Sequence, residues 1–161
     1  MGGGKGKHPS HGARLTFHIA TGTLSGTAGG KSVTMHAFSG GGGGSKSGWV
    51  QKGAVNNPLK TGLKTSGGHS DHKKHVHGGP IPVGHYTIST PDGKHPNLGK
   101  MSAQLTPGAK NHMHGRGGFF IHGRGPHGSD GCIVPDSGTD FHTLMELLLV
   151  SHGGTLLVVS E

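Results

Sequence analysis

The stretch "GGFFIHGRGPHGSDGCIV", residues 117–134, holds the only cysteine of the 161-residue chain. Its first half reads as a short strand. Phe119 and Ile121 alternate with Phe120 and His122, which sets His122 at the strand's end beside a glycine turn. Its second half places Cys132 after Ser129, Asp130 and Gly131 rather than in an apolar run, where a buried structural thiol belongs. A single cysteine makes no intramolecular disulfide, so chemistry is the better reading of it. A thiol of pKa about 8.5 is only slightly ionised at neutral pH, and an imidazole activates it by taking the proton or pairing with the thiolate. His122 and His127 are the nearby candidates. The glycines beside Cys132 let the backbone approach a substrate and aim N–H groups at a developing oxyanion.

Composition bounds the surroundings of this turn. Apolar residues make up 29% and glycines number 35, so long loops are expected around a modest core. Fifteen basic residues against 7 acidic ones give +8, which favours polyanions, acidic polymers or anionic surfaces. One Trp, one Tyr and five Phe supply no stacking platform for nucleic acid. "MGGGKGKHPSHGARL" has no apolar signal region, and no stretch approaches the roughly 18 apolar residues of a membrane span. A cytosolic chain without stable membrane insertion is therefore expected in the producing cell.

Residues 1–13 read as a flexible Gly, Lys and His lead-in, and 14–161 as one domain. "RLTFHIATG" alternates Leu15, Phe17 and Ile19 with polar residues, and "KSVTMHAFS" does the same through Val33, Met35 and Ala37. "GPIPVGHYTIST" reads as a turn feeding a strand, with Tyr86 and Ile88 on one face. In "PDSGTDFHTLMELLLVSHGG", Phe141, Leu144, Met145, Leu148 and Leu149 fall at helical spacing, with a cap from Asp136, Ser137 or Thr139 and an end at Gly153. "TLLVVS" closes the chain as a buried strand. The expected fold is mainly β, a sandwich or partly closed barrel with one C-terminal packing helix and long Gly/His-rich loops.

Between them, "GGHSDHKKHVHGG" carries His69, His72, His75 and His77, which could gather a transition metal. Their spacing lacks a matching Cys or carboxylate set. A flexible, solvated loop is the reading of this composition, and no metal or cofactor is assigned.

Taken in order, "GPIPVGHYTI", "GGFFIHG" and "GSDGCIV" resemble the L,D-transpeptidase (YkuD-like) catalytic domain, and "HAFSGGGG" is similar to that family's strand running into a Ser-Gly turn. The resemblance covers roughly Leu15 to Glu161 and is sharpest at His122, Gly123, Ser129, Gly131 and Cys132. The compact His-to-Cys spacing resembles the short antibacterial effectors delivered by type VI secretion. The resemblance implies Cys132 as nucleophile, His122 as its base, the Gly131 and Cys132 amides as oxyanion donors, and Ser129 as orienter of the loop. It implies peptidoglycan tetrapeptide stems as substrate, attacked at the L-centre of the diamino acid with release of D-alanine. Water as acceptor gives an L,D-carboxypeptidase, a D-amino acid gives exchange, and a stem amine gives a cross-link. Arg116 and Arg124 would fork substrate carboxylates. It also implies type VI machinery and a periplasmic immunity protein as partners, with the periplasm of a target bacterium as the site of action.

Two positions depart from the family. Asp130 stands where it usually has a histidine before Gly-Cys, and Val134 where it has Arg or Asn. His127 replaces that histidine or is a surface residue; the spacing leaves both open. Two other classes compete. A metal-binding reading draws on His112, His114, His122, His127 and Cys132, and a nucleic-acid-binding reading draws on the basic loops.

Overall fold

The computed structural model describes residues 12–46, 49–68 and 74–161. Eight strands, β1 (Ala13–His18), β2 (Thr23–Ala28), β3 (Lys31–Ser39), β4 (Gly84–Ile88), β5 (Ala103–Pro107), β6 (Phe119–Ile121), β7 (Ile133–Pro135) and β8 (Gly154–Val159), are joined by one helix, α1 (Gly138–Val150), among the described residues. They close into a barrel in the order β1-β2-β3-β7-β6-β5-β4-β8, a fuller closure than the partly closed barrel expected. Most neighbours are antiparallel, whereas β1 with β8 and β6 with β7 run parallel.

Period-two patterning fixes which face each strand turns inward. Leu15 and Phe17 of β1, Val33, Met35 and Ala37 of β3, Tyr86 and Ile88 of β4, and Leu156 and Val158 of β8 all enter one core. β8 is buried on that face only, since Leu157 and Val159 are half-buried. Two strands lie where no alternation was legible. β2, "TLSGTA", buries Leu24 and Ala28, and β5, "AQLTP", buries Ala103 and Leu105. The lead-in expected over 1–13 lies outside the described residues up to residue 11, and Ala13 already pairs with Gly154.

Ser137 caps α1, its hydroxyl accepting the Asp140 N–H at 3.0 Å. Leu144, Met145 and Leu148 enter the core. Leu149, placed in that stripe by spacing, is 38% exposed, and Leu147 packs instead over the β2–β3 turn at Gly29. The helix lies against β2, β3 and β7, the last of which follows the Cys132 turn. None of the described helices is long and apolar enough to cross a membrane.

Candidate active site

The parallel pair β6 and β7 sets His122 and Cys132 each one residue outside a paired strand position. Ile121 opposes Ile133 in register, and the His122 N–H continues the ladder to the Ile133 carbonyl at 3.2 Å. Ile121 and Ile133 are fully buried in the core. Strand alternation therefore turns His122, just past β6, and Cys132, just before β7, to the opposite face together.

The turn that carries Cys132 is built by two serines. Ser129, fully buried, accepts the N–H of Gly40 at 2.9 Å and of Gly131 at 3.0 Å, and its hydroxyl donates to the Cys132 carbonyl. Ser39, at the end of β3, donates to the Gly131 carbonyl at 2.8 Å and accepts the Ile81 N–H at 2.9 Å. The Ser-Gly end of β3 thus clamps the Cys132 turn from the strand next to β7. Gly131 has φ +137°, and a Cβ there would stand 2.4 Å from the Phe119 ring, so glycine is required on both counts. The Gly131 amide, an oxyanion donor by resemblance, is committed to Ser129 Oγ. This corrects the expectation, because an N–H bound inside the turn does not point at a substrate.

Cys132 is half-buried, and its thiol donates to the Gly118 carbonyl at 3.8 Å. Burial pushes the thiol up to about 11; the Phe120 N–H and Arg116 oppose this, and Asp130 adds to it. His122 is 7% exposed, and burial holds its imidazole below the ordinary range, with the Gly123 carbonyl opposing. That carbonyl lies 2.8 Å from His122 Nδ1. A carbonyl only accepts, so Nδ1 carries the proton and Nε2 of the neutral ring is bare. The pair rests as thiol and imidazole, not as an ion pair.

The remaining expected residues are placed differently. Arg116 is no substrate fork. Its Nη1 donates to the carbonyls of Thr61 at 2.6 Å and Pro80 at 2.8 Å, and its Nη2 to those of Gly79 at 2.8 Å and Asp130 at 2.9 Å. Four backbone acceptors occupy the fork, and the guanidinium lies over Phe119. Arg124 is likewise committed, to the carbonyls of Gly44, Ser45 and Asp136 and to the Asp136 carboxylate at 3.5 Å. His127 is exposed and does not line the cleft at Cys132. Asp130 turns to His77, whose Nδ1 is 2.6 Å from its Oδ1.

His75 and His77 are therefore not in a solvated loop, since both are buried, at 2% and 4% exposure. His69 and His72 lie outside the described residues. The set His112, His114, His122, His127 and Cys132 is not gathered; His112 and His114 stack on each other at 4.2 Å and are exposed. Among the described residues, the group with converging metal-binding atoms is His75, His77 and Asp130.

A cleft of about 280 Å³ opens on Cys132, lined by Lys64, Thr65, residues 115–119 and Asp130. Lys64, exposed at its rim with Nζ over Gly115, is a cation that the sequence reading missed; nothing in its local sequence sets it apart. A groove of about 390 Å³ across β1, β4 and β8 contains none of these residues.

The closed barrel with His122 just past β6 and Cys132 just before β7 is of the L,D-transpeptidase-like class. Residues 61–158, more than half of the chain, match the Tlde1 domain. The chain belongs to that family of L,D-transpeptidase-like type VI secretion effectors. Two solved structures share the fold. One is an L,D-transpeptidase from Xylanimonas cellulosilytica, with TM-score 0.51 and 18% identity over 93% of this chain and 61% of that one. The other is the helical cell shape determining protein Pgp2 from Campylobacter jejuni, with TM-score 0.51 and 14% identity over 97% of this chain and 49% of that one. The chain thus spans about half to three-fifths of these relatives' length. No curated protein matches it. β1 to β3 precede the matched stretch, yet they complete the barrel, and the end of β3 supplies Ser39 and leads into Gly40.

Proposed function

We propose that the protein modifies peptidoglycan through a cysteine acyl-enzyme, acting on tetrapeptide stems as an L,D-carboxypeptidase, a D-amino acid exchanger, or both. The observation that carries this is the shared face of His122 and Cys132, with His122 Nε2 left bare by the Gly123 carbonyl in a Tlde1-family barrel.

In this reading Cys132 Sγ attacks the carbonyl at the L-centre of the diamino acid. His122 Nε2 takes the thiol proton as the C–S bond forms, because a thiol with so high a pKa is not pre-ionised. The Cys132 N–H is the donor left at the turn for the oxyanion, since Gly131 is committed to Ser129. Collapse breaks the C–N bond, and the imidazolium returns its proton to the amine of the departing D-alanine. Water, or an incoming D-amino acid, then gives its proton to His122 and resolves the thioester. Lys64 at the cleft rim takes the carboxylate role that Arg116 and Arg124 do not fill.

The biological role we infer is that of an antibacterial toxin, made in the producer's cytoplasm and delivered by type VI secretion to the target's periplasm. There, trimming stems removes the donors that cross-linking enzymes use, and a periplasmic immunity protein that blocks the cleft gives protection. Mass spectrometry of stems after incubation with peptidoglycan tests the chemistry.

A further inference from the structure

His75 and His77 flank Val76, whose backbone pairs with Ser66, so strand-like alternation turns both imidazoles to one side. There they meet Asp130, two residues before Cys132 in sequence. His75 Nε2 is 3.2 Å from His77 Nδ1 and 3.4 Å from Asp130 Oδ1, and His77 Nδ1 is 2.6 Å from that oxygen. We propose that His75 Nε2, His77 Nδ1 and Asp130 Oδ1 form a binding site for one divalent transition ion, zinc foremost, which fastens segment 74–79 to the turn bearing Cys132.

Three features support the site. Donor atoms around a tetrahedral zinc, with bonds of about 2.0–2.1 Å, lie about 3.3 Å apart. Two edges of the observed triangle already have that length, and the third opens by about 0.7 Å when an ion replaces a proton. The tautomers are also prepared. His75 Nδ1 lies 3.0 Å from the Gly67 carbonyl, so it carries the proton and presents a lone pair at Nε2, the backbone-carbonyl partner that orients metal-bound histidines. His77 needs only to shift its proton from Nδ1 to Nε2 for three lone pairs to converge. The frame is fixed independently of any ion. The His77 N–H donates to Gln51 Oε1 at 2.6 Å, the Gly78 N–H to Asp130 Oδ1 at 3.3 Å, and Arg116 to the Asp130 carbonyl. Two neutral imidazoles and one carboxylate give a net −1 site, and the N2O donor set suits Zn²⁺ or Co²⁺ over Mg²⁺ or Ca²⁺. Three protein ligands leave a fourth position for water or another donor.

Chelator-treated full-length protein titrated with Zn²⁺, and separately with Co²⁺, tests this without reference to activity. We expect one equivalent of Zn²⁺ retained through gel filtration, a Tm raised by several degrees, and an intense visible Co²⁺ band of four-coordinate geometry. His75→Gln and Asp130→Asn should each weaken Zn²⁺ binding at least tenfold, whereas His142→Gln, on the exposed face of α1, should not. Equal retention by the wild type and both variants would overturn the site, as would a sulfur-to-cobalt charge-transfer band placing the ion on Cys132. If either variant fails to fold, the wild-type Co²⁺ spectrum decides, and a six-coordinate or absent spectrum refutes the proposal.

Discussion

The Ser39 hydroxyl donates to the Gly131 carbonyl at 2.8 Å, joining the end of β3 to the residue before Cys132 across 92 positions of chain. Ser129 repeats the device within the turn, holding Gly40 and Gly131 by their amides. The position of Cys132 is therefore set by buried hydrogen bonds rather than by the short loop alone.

Ser129→Ala removes the acceptor of two buried N–H groups and should destabilise the fold by about 2–4 kcal/mol. Turnover should fall together with the urea midpoint. Unchanged stability in Ser129→Ala would mean that the turn is held by other groups.

Arg116 and Lys64 should separate in kinetics. Arg116→Lys breaks a planar fork on four carbonyls and should cost about 1.5–3 kcal/mol of stability. Lys64→Ala should leave Tm unchanged and raise KM for carboxylate-bearing stems about two- to fivefold. A normal Tm with a raised KM in Arg116→Lys would restore it as a substrate fork.

The pH dependence follows from a raised thiol and a lowered imidazole. Alkylation of Cys132 by iodoacetamide should climb through pH 9 towards a midpoint near 11. Because the unfolded chain loses that proton first, near 9.0, stability should fall between pH 9 and about 11, and Cys132→Ala should flatten this limb. The sign reverses for His122. Its folded pKa lies below 6.5, so the bare Nε2 persists as pH falls through 6.5 and kcat/KM should decline only below that. An acid limb centred above 6.5, or thiolate titrating near neutrality, would point to a preformed ion pair instead.

What was legible in the sequence was what neighbouring residues decide. β1, β3, β4 and β6 show alternation, α1 shows its cap and stripe, and Cys132 with His122 flank one loop. β2 and β5 escaped because Thr, Ser and Gln fill positions that face outward, and the inward face holds only Leu24, Gly26, Ala28, Ala103 and Leu105. The arginines misled because their acceptors are backbone carbonyls as far as 55 and 80 positions away, to which side-chain identity gives no clue. The carboxylate partner of His77 stood 53 positions downstream, beyond what the spacing of the histidine run reveals, so the run read as solvated loop.

Delivery is testable apart from chemistry. With an export signal fused to its N-terminus, the chain should kill a bacterial host, whereas the cytosolic form should not, since stems are processed outside the cytoplasmic membrane. Equal killing by both forms would place the target inside the cell.

The role of Cys132 as acyl carrier is decided by mass spectrometry of peptidoglycan stems after incubation with wild-type protein and with folded Cys132→Ala. The wild type should convert tetrapeptide stems to tripeptides, or replace the terminal D-alanine by an added D-amino acid, while Cys132→Ala leaves them intact. Stems unaltered by the wild type, or altered equally by Cys132→Ala, would contradict it.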